Sequence, residues 1–125
     1  MLFAKRVFTG AGLYGLVALG PLYFVENRLG RDLPPPITHP EYFYGFVGVA
    51  LSWQLVFLQL GRDPLRYRAL VLPSVAEKLT YALAVIVLFL QRRVAPVTLA
   101  SGLIDLVLAV LFVAAYVKTE PARSR

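Results

Sequence analysis

Four long stretches of the chain carry almost no charge, and each is separated from the next by a short polar or proline-containing segment. The first lies between Arg6 and Glu26, and the second lies between Glu41 and Arg62. A helix needs about 20 apolar residues to cross the hydrocarbon core of a bilayer. The pattern therefore predicts four transmembrane helices, near residues 7–26, 42–61, 73–91 and 95–117.

Charged residues interrupt the third and fourth stretches but not the first two. Glu77 and Lys78 stand inside the third stretch, and Asp105 stands inside the fourth. A charged side chain at membrane depth is energetically expensive, so it commonly pairs with another group or serves a function. These three residues are the first candidates for a site.

Composition agrees with a membrane protein. Of the 125 residues, 58% are hydrophobic and only 16% are charged, whereas about a quarter of a soluble domain is charged. The predicted fold class is all-α, a four-helix transmembrane bundle forming one domain over residues 1–125, with a short cytoplasmic tail at 118–125. Because the chain has no cysteine, disulfides, thiolate metal sites and cysteine nucleophiles are excluded.

The basic residues flank the apolar stretches, so the net charge of +6 indicates contact with lipid headgroups and not with nucleic acid. Cytoplasmic loops carry an excess of Lys and Arg. Eight basic residues fall at one end of the predicted bundle, namely Lys5, Arg6, Arg62, Arg66, Arg68, Lys118, Arg123 and Arg125. Four fall at the other end, namely Arg28, Arg31, Arg92 and Arg93. We therefore predict a multi-pass protein of a bacterial inner membrane with both termini in the cytoplasm.

The segment Asn27–Pro40 should be extended and stiff, because its prolines fix φ and donate no hydrogen bond. Aromatic residues follow it at the start of the second helix, namely Tyr42, Phe43, Tyr44 and Phe46. Aromatic side chains at this depth usually form an interfacial belt. A gate for a ligand is the alternative interpretation.

Asp105 lies near the middle of the fourth predicted helix. At 1.5 Å per residue it is roughly 15–18 Å from either end, too far for its short side chain to reach water. Thr98, Ser101 and Asp105 follow i, i+3, i+7 spacing and therefore share one face. That face should point into the bundle, where Asp105 is either a functional group or part of a structural pair.

Glu77 has two interpretations. The segment Ser74-Val75-Ala76-Glu77 follows Pro73 and matches a capping box, in which the glutamate closes the first turn of a helix. In that case Lys78 extends to the cytoplasmic headgroups. The alternative is that one or both side chains turn inward toward Asp105, with Tyr81 one turn after Glu77.

Polar and aromatic residues occur at similar depth in all four predicted helices. We therefore expect a shared polar pocket, open toward the cytoplasmic side, in which Lys78 pairs with Asp105 or Glu77. The candidate ligand-binding residues are Tyr14, Trp53, Gln54, Glu77, Lys78, Tyr81, Ser101 and Asp105. His39 is the only histidine, and no nucleotide or hydrolase motif occurs. The sequence thus indicates no cofactor and no metal site, and it identifies no catalytic residue.

The first functional hypothesis is a binding module for a lipid-like or quinone-like molecule, or for a partner's helix. A proton-coupled transporter that uses Asp105 as part of an oligomer is the second. A membrane isomerase with Glu77 or Asp105 as its acid–base group and an accessory subunit of a larger complex also remain open. Pairs of small residues such as Ala11 and Gly15 allow close helix approach, either within one chain or in a homodimer.

The whole chain resembles small uncharacterised four-helix membrane proteins of bacteria. The resemblance is carried by the loop His39–Gly45, the link Arg62–Arg68 and the ending Leu103–Val107, and it implies no activity. More remotely, the topology resembles the EXPERA and emopamil-binding group and the DoxX-like proteins. EXPERA members use acidic residues in a membrane cavity to hold sterol-like or cationic amphiphiles, which implies that part for Glu77 and Asp105.

Overall fold

Four long helices make up nearly all of the structure, a computed structural model that describes residues 1–26, 28 and 37–119. They are α1 (Leu2–Leu19), α2 (Pro40–Arg62), α3 (Val71–Leu90) and α4 (Pro96–Lys118). Short 3₁₀ segments extend α1 at Gly20–Phe24 and precede α3 at Arg68–Leu70. All four spans are long and apolar enough to cross a bilayer. The predicted all-α four-helix bundle is confirmed, and the chain is a multi-pass membrane protein.

The first span differs most from its predicted bounds. It begins at Leu2 and not at residue 7, since Lys5 and Arg6 belong to the first turns of α1, where their side chains are exposed. The α-helical part ends at Leu19, just before Pro21, which has no N–H with which to continue the helical ladder. Most of the predicted extended segment Asn27–Pro40 and most of the predicted tail at 118–125 lie outside the described residues. Of the described parts, Pro40 begins α2 and Lys118 ends α4, so these two residues are helical and the predictions are wrong there.

Successive helices run in opposite directions, so α1 begins and α4 ends at one end of the bundle, which we call the terminal end. The turn between α3 and α4 lies at the other end, the distal end. α1 packs closely along α2, and α3 packs closely along α4. α1 also contacts α4, whereas α2 and α3 approach each other least closely of these neighbouring pairs.

Glycines explain the close approach of α1 and α2. A Cβ atom added at Gly12 would lie 2.8 Å from the Leu58 side chain, and one added at Gly61 would lie 2.9 Å from the backbone nitrogen of Thr9. Without side chains at these positions, the two backbones can come together, as small residues permit in lipid. The seam extends to Gly15, which lies against the Gln54 side chain.

We expect Gly61→Ala to destabilise the protein by about 1–3 kcal/mol, because the new methyl group meets the backbone of α1, which cannot easily yield. Gly10→Ala is the matched control, since none of the described atoms would lie within 4 Å of its Cβ atom. Alanine is the better helix former by up to about 1 kcal/mol, so the control should be neutral or stabilising. Unfolding in mixed detergent micelles measures both. Equal stabilities would contradict this explanation of the seam.

Aromatic side chains seal the terminal end of the bundle. Phe8, Phe57 and Phe112 are fully buried, with ring centroids 4.8 Å apart for Phe8 and Phe112 and 5.0 Å apart for Phe57 and Phe112. We call these three residues the aromatic floor. Arg68 adds a further contact on the terminal side of the floor. Its guanidinium carbon lies 3.6 Å from the centroid of the Tyr116 ring, and its Nη2 donates a 3.1 Å hydrogen bond to the Tyr116 carbonyl.

A tight turn joins α3 to α4 at the distal end. Arg92 adopts a φ of 59°, which is uncommon outside glycine. The Arg92 N–H donates to the Phe89 carbonyl at 2.9 Å, and the Arg93 N–H donates to the Leu88 carbonyl at 2.9 Å. This is the hydrogen-bond pattern of a Schellman motif. The turn holds α3 and α4 side by side, which brings their charged residues to the same depth.

Candidate functional site

A cavity of about 480 Å³ lies between all four helices, on the distal side of the aromatic floor. We call it the polar cavity. Seven of the eight sequence-predicted site residues line it: Tyr14, Gln54, Glu77, Lys78, Tyr81, Ser101 and Asp105. The structure therefore brings residues from every helix to one place. That they bind a ligand stays a prediction.

Trp53 is the predicted site residue that does not line the polar cavity. It borders a separate lateral groove between α2 and α3. Trp53 and Gln54 are neighbours in sequence, but consecutive residues of an α-helix point about 100° apart. Gln54 consequently points into the bundle while Trp53 points toward the gap beside α3. The prediction placed Trp53 in the wrong compartment.

Lys78 connects the charged side chains that line the polar cavity. Its Nζ atom lies 3.3 Å from Asp105 Oδ1 and 3.8 Å from Glu77 Oε2. It also lies 5.1 Å from the centroid of the Phe57 ring, within the range of a cation–π contact. Lys78 is only 4% exposed, so it does not extend to the headgroups. We call Glu77, Lys78 and Asp105 the charged cluster.

The capping-box interpretation of Ser74 and Glu77 is wrong. The helix begins at Val71, three residues before Ser74, because the 3₁₀ turn at Arg68–Leu70 leads directly into it. The Ser74 hydroxyl donates backward to the Leu70 carbonyl at 2.7 Å instead of capping a helix start. Glu77 therefore lies in the second turn of α3, at the depth of the cavity.

Two buried oxygen atoms beside the polar cavity accept no hydrogen bond from the described residues: Gln54 Oε1 and Glu77 Oε2. The Gln54 side chain is fixed from its other atom, since Nε2 donates to the Ala50 carbonyl at 2.7 Å. Buried polar atoms are nearly always satisfied by protein, water or ligand, and leaving one unpaired costs about 1–3 kcal/mol. Both atoms have almost no surface open to the cavity: Gln54 Oε1 packs against Gly15, and Glu77 Oε2 lies 3.8 Å from Lys78 Nζ.

The predicted polar face of α4 is confirmed, because Thr98, Ser101 and Asp105 all line the polar cavity. Ser101 Oγ lies 2.6 Å from the Thr98 carbonyl and 2.8 Å from the Tyr81 hydroxyl. A serine hydroxyl carries one proton, so donation to the carbonyl requires Tyr81 to be the donor toward Ser101. This pair of bonds fixes Tyr81 to α4.

The cavity extends toward the distal end, where Leu22, Phe46 and Val97 line it. This direction differs from the prediction, which has the pocket open toward the side of the chain termini. The aromatic floor explains the difference, because it fills the terminal end with buried rings. Phe46 belongs to the aromatic run for which the sequence favours an interfacial belt, with a ligand gate as the alternative, and it is not among the predicted site residues. Gly15, which also lines the cavity, is missing from them as well, although the pair Ala11 and Gly15 indicates close helix approach.

A lateral groove of about 610 Å³ runs between α2 and α3, and we call it the α2/α3 groove. Phe46, Ala50, Glu77 and Tyr81 border both the groove and the polar cavity. The rings of Phe46 and Tyr81 stack with centroids 5.9 Å apart and planes inclined by 25°. These two rings form a partition between the two spaces.

No known protein family, curated protein or solved structure matches the chain. The resemblance to EXPERA and DoxX-like proteins therefore stays a prediction.

Proposed function

We propose that this membrane protein is a binding module for a lipid-like or other hydrophobic small molecule, held in the polar cavity. One observation carries the proposal. The charged cluster, near the middle of its helices, lines a cavity instead of being enclosed by packed side chains. A cavity of about 480 Å³ has the size of ordinary small-molecule sites, which are mostly apolar with a few convergent polar groups.

The carboxylates that line the cavity support a ligand with a polar group. The side chains of Glu77 and Asp105 are 18% and 15% exposed, so each keeps some surface free beside its contact with Lys78. A hydroxyl, amine or similar group on an otherwise apolar molecule would hydrogen-bond to one of them, while its apolar part would replace lipid against Leu22 and Val97. Binding would then add polar contacts as well as fill the space.

The aromatic floor favours binding over transport. Passage across the bilayer would need a path through both ends of the bundle, and Phe8, Phe57 and Phe112 fill the terminal end. For orientation, we propose cytoplasmic termini in a bacterial inner membrane. The described basic residues at the terminal end support this, since they outnumber Arg28, Arg92 and Arg93 at the distal end, as expected of the cytoplasmic side.

Ala18→Phe tests the proposal, because Ala18 lines the polar cavity and a benzyl group would occupy its volume. Val17→Phe is the matched control, since Val17 is 76% exposed on the lipid side of the same helix. A long-chain alcohol and a long-chain quinone, added separately in detergent, serve as probes. We expect at least one to raise the unfolding temperature of wild type and Val17→Phe, since a ligand of the folded state stabilises it, but not that of Ala18→Phe.

Native mass spectrometry of the same samples should show the bound probe in wild type and Val17→Phe only. Retention by Ala18→Phe at the level of Val17→Phe would overturn the proposed site. Binding of neither probe to wild type, together with no hydrophobic molecule retained from the host membrane, would overturn the proposed function.

A further inference from the structure

We infer that the α2/α3 groove receives the hydrocarbon chain of the molecule whose polar group lies in the polar cavity. The ligand would then be a single-chain amphiphile that enters sideways from the bilayer between α2 and α3. This inference rests on the proposed function, and it adds the class of ligand and its route.

The groove and the polar cavity are continuous. Phe46, Ala50, Glu77 and Tyr81 border both, so a molecule that occupied one would touch the walls of the other. Glu77 lies where the two spaces meet, and its side chain is 18% exposed. A polar group at this point would lie beside a carboxylate, with the rest of the molecule extending outward.

The α2 wall of the groove is elongated. It consists of residues at helical spacing along one face, namely Glu41, Tyr42, Gly45, Phe46, Val49, Ala50 and Trp53. From Tyr42 to Trp53 the wall is roughly 16 Å long at 1.5 Å per residue. It runs parallel to the helix, which is also the direction of lipid chains in a bilayer. On the α3 side only Glu77, Thr80 and Tyr81 line the groove, so the α2 wall is the long, mostly apolar surface that an extended hydrocarbon chain would follow.

The α2–α3 side of the bundle is the most loosely packed. α1 and α2 are joined by the glycine seam, and α3 and α4 are joined by the Arg92 turn and the charged cluster. α2 and α3 approach least closely of the neighbouring pairs. Between them stands the Phe46–Tyr81 partition. Tyr81 is held by Ser101, whereas Phe46 is 46% exposed, so rotation of the Phe46 side chain can open the way.

Trp53 offers a direct measurement, because it is the only tryptophan in the chain and lines the groove. Bromine atoms quench tryptophan fluorescence on close contact. The probe is a long-chain alcohol brominated at mid-chain, added to the protein in phosphatidylcholine nanodiscs. We expect saturable quenching of Trp53 that exceeds the quenching by mid-chain-brominated phosphatidylcholine at equal bromine content.

Gly45→Leu blocks the groove without disturbing the fold. None of the described atoms would lie within 4 Å of a Cβ atom at Gly45, and the same is true of Gly10 on α1. Gly10→Leu is therefore the matched control. We expect Gly45→Leu to lose the saturable quenching and Gly10→Leu to keep it. Ala18→Phe should lose it as well, because it removes the place for the hydroxyl group.

A second control moves the fluorophore. The double variant Trp53→Phe, Leu55→Trp places the tryptophan on a face of α2 that is 60% exposed to lipid. There the alcohol and the phosphatidylcholine probes should quench alike and without saturation.

Three results would overturn the inference. These are equal quenching of Trp53 by the alcohol and by phosphatidylcholine, equal quenching in Gly45→Leu and Gly10→Leu, and saturable quenching that survives Ala18→Phe. If the alcohol still stabilises wild type and Val17→Phe but not Ala18→Phe, the proposed function stands and only the groove is wrong. If no probe binds at all, both fail together.

Discussion

Replacing Lys78 with methionine is expected to lower the free energy of unfolding by about 3 kcal/mol, because it leaves two partly buried carboxyl groups without their cation. Lys78 Nζ is 3.3 Å from Asp105 Oδ1, and the side chains of Lys78 and Asp105 are 5% and 15% exposed. Methionine preserves most of the volume, so the loss reports on charge and not on packing. Adding Asp105→Asn to Lys78→Met should recover part of the stability, since it removes one of the two stranded charges.

Reversible unfolding in mixed micelles measures this series. Lys5→Met is the control, because Lys5 is an exposed lysine on α1 and such surface substitutions usually fall within about 0.5 kcal/mol. If Lys78→Met were as stable as Lys5→Met, the charged cluster would not be what holds α3 to α4. Failure of Asp105→Asn to recover any stability would show that the loss has another origin.

Phe57→Ala is expected to cost about 2 kcal/mol and to open the aromatic floor. Phe57 is fully buried against Phe112 and lies beneath Lys78. In lipid the transfer of an apolar side chain contributes little, so the loss comes from packing. It scales with the void at about 24 cal/mol per Å³, which gives about 2 kcal/mol for a void of roughly 100 Å³.

Phe24→Ala is the matched control, since Phe24 is 89% exposed and its removal creates no void. The two variants are compared by unfolding in mixed micelles and by hydrogen exchange of the α2 backbone near position 57. Phe57→Ala should unfold more easily and exchange faster there. Equal behaviour of the two variants would mean that the rings of the floor are not what closes the terminal end.

The spans could be predicted because a bilayer imposes a simple rule. A helix that crosses it must be apolar over a fixed length, and that requirement is visible in a single sequence. The ends of the spans were harder to predict. Lys5 and Arg6 lie within α1 although they looked like flanking charges, since long side chains can leave the first turn and reach water. Pro21 shortens the α-helical part of the same span.

The polar cavity was partly visible in the sequence for the same reason. Depth within each span follows from residue number, and the spacing of Thr98, Ser101 and Asp105 set one face of α4. What the sequence could not supply was the rotation of each helix about its own axis relative to its neighbours. Trp53 was misplaced for this reason, because the spacing within α2 does not say which neighbour a face meets.

The aromatic floor could not be predicted from the sequence, and the glycine seam only in part. Phe8, Phe57 and Phe112 come from three different helices, and nothing in their local sequence distinguishes them from the lipid-facing phenylalanines. The pair Ala11 and Gly15 indicated that α1 approaches another helix closely, but the seam glycines pair with residues roughly 50 positions away in the chain. Which helices meet depends on tertiary packing, so the local pattern does not identify the partner.

The aromatic floor also gives the molecule a sidedness. If the polar cavity binds a membrane molecule as proposed, a bundle closed at its terminal end and open toward the distal end would exchange that molecule with the distal leaflet. Whichever way the chain is inserted, the aromatic floor would separate the leaflet on the side of the termini from the cavity. Abundance of the bound molecule in the opposite leaflet would thus set occupancy, and the protein would report on the composition of that half of the bilayer alone.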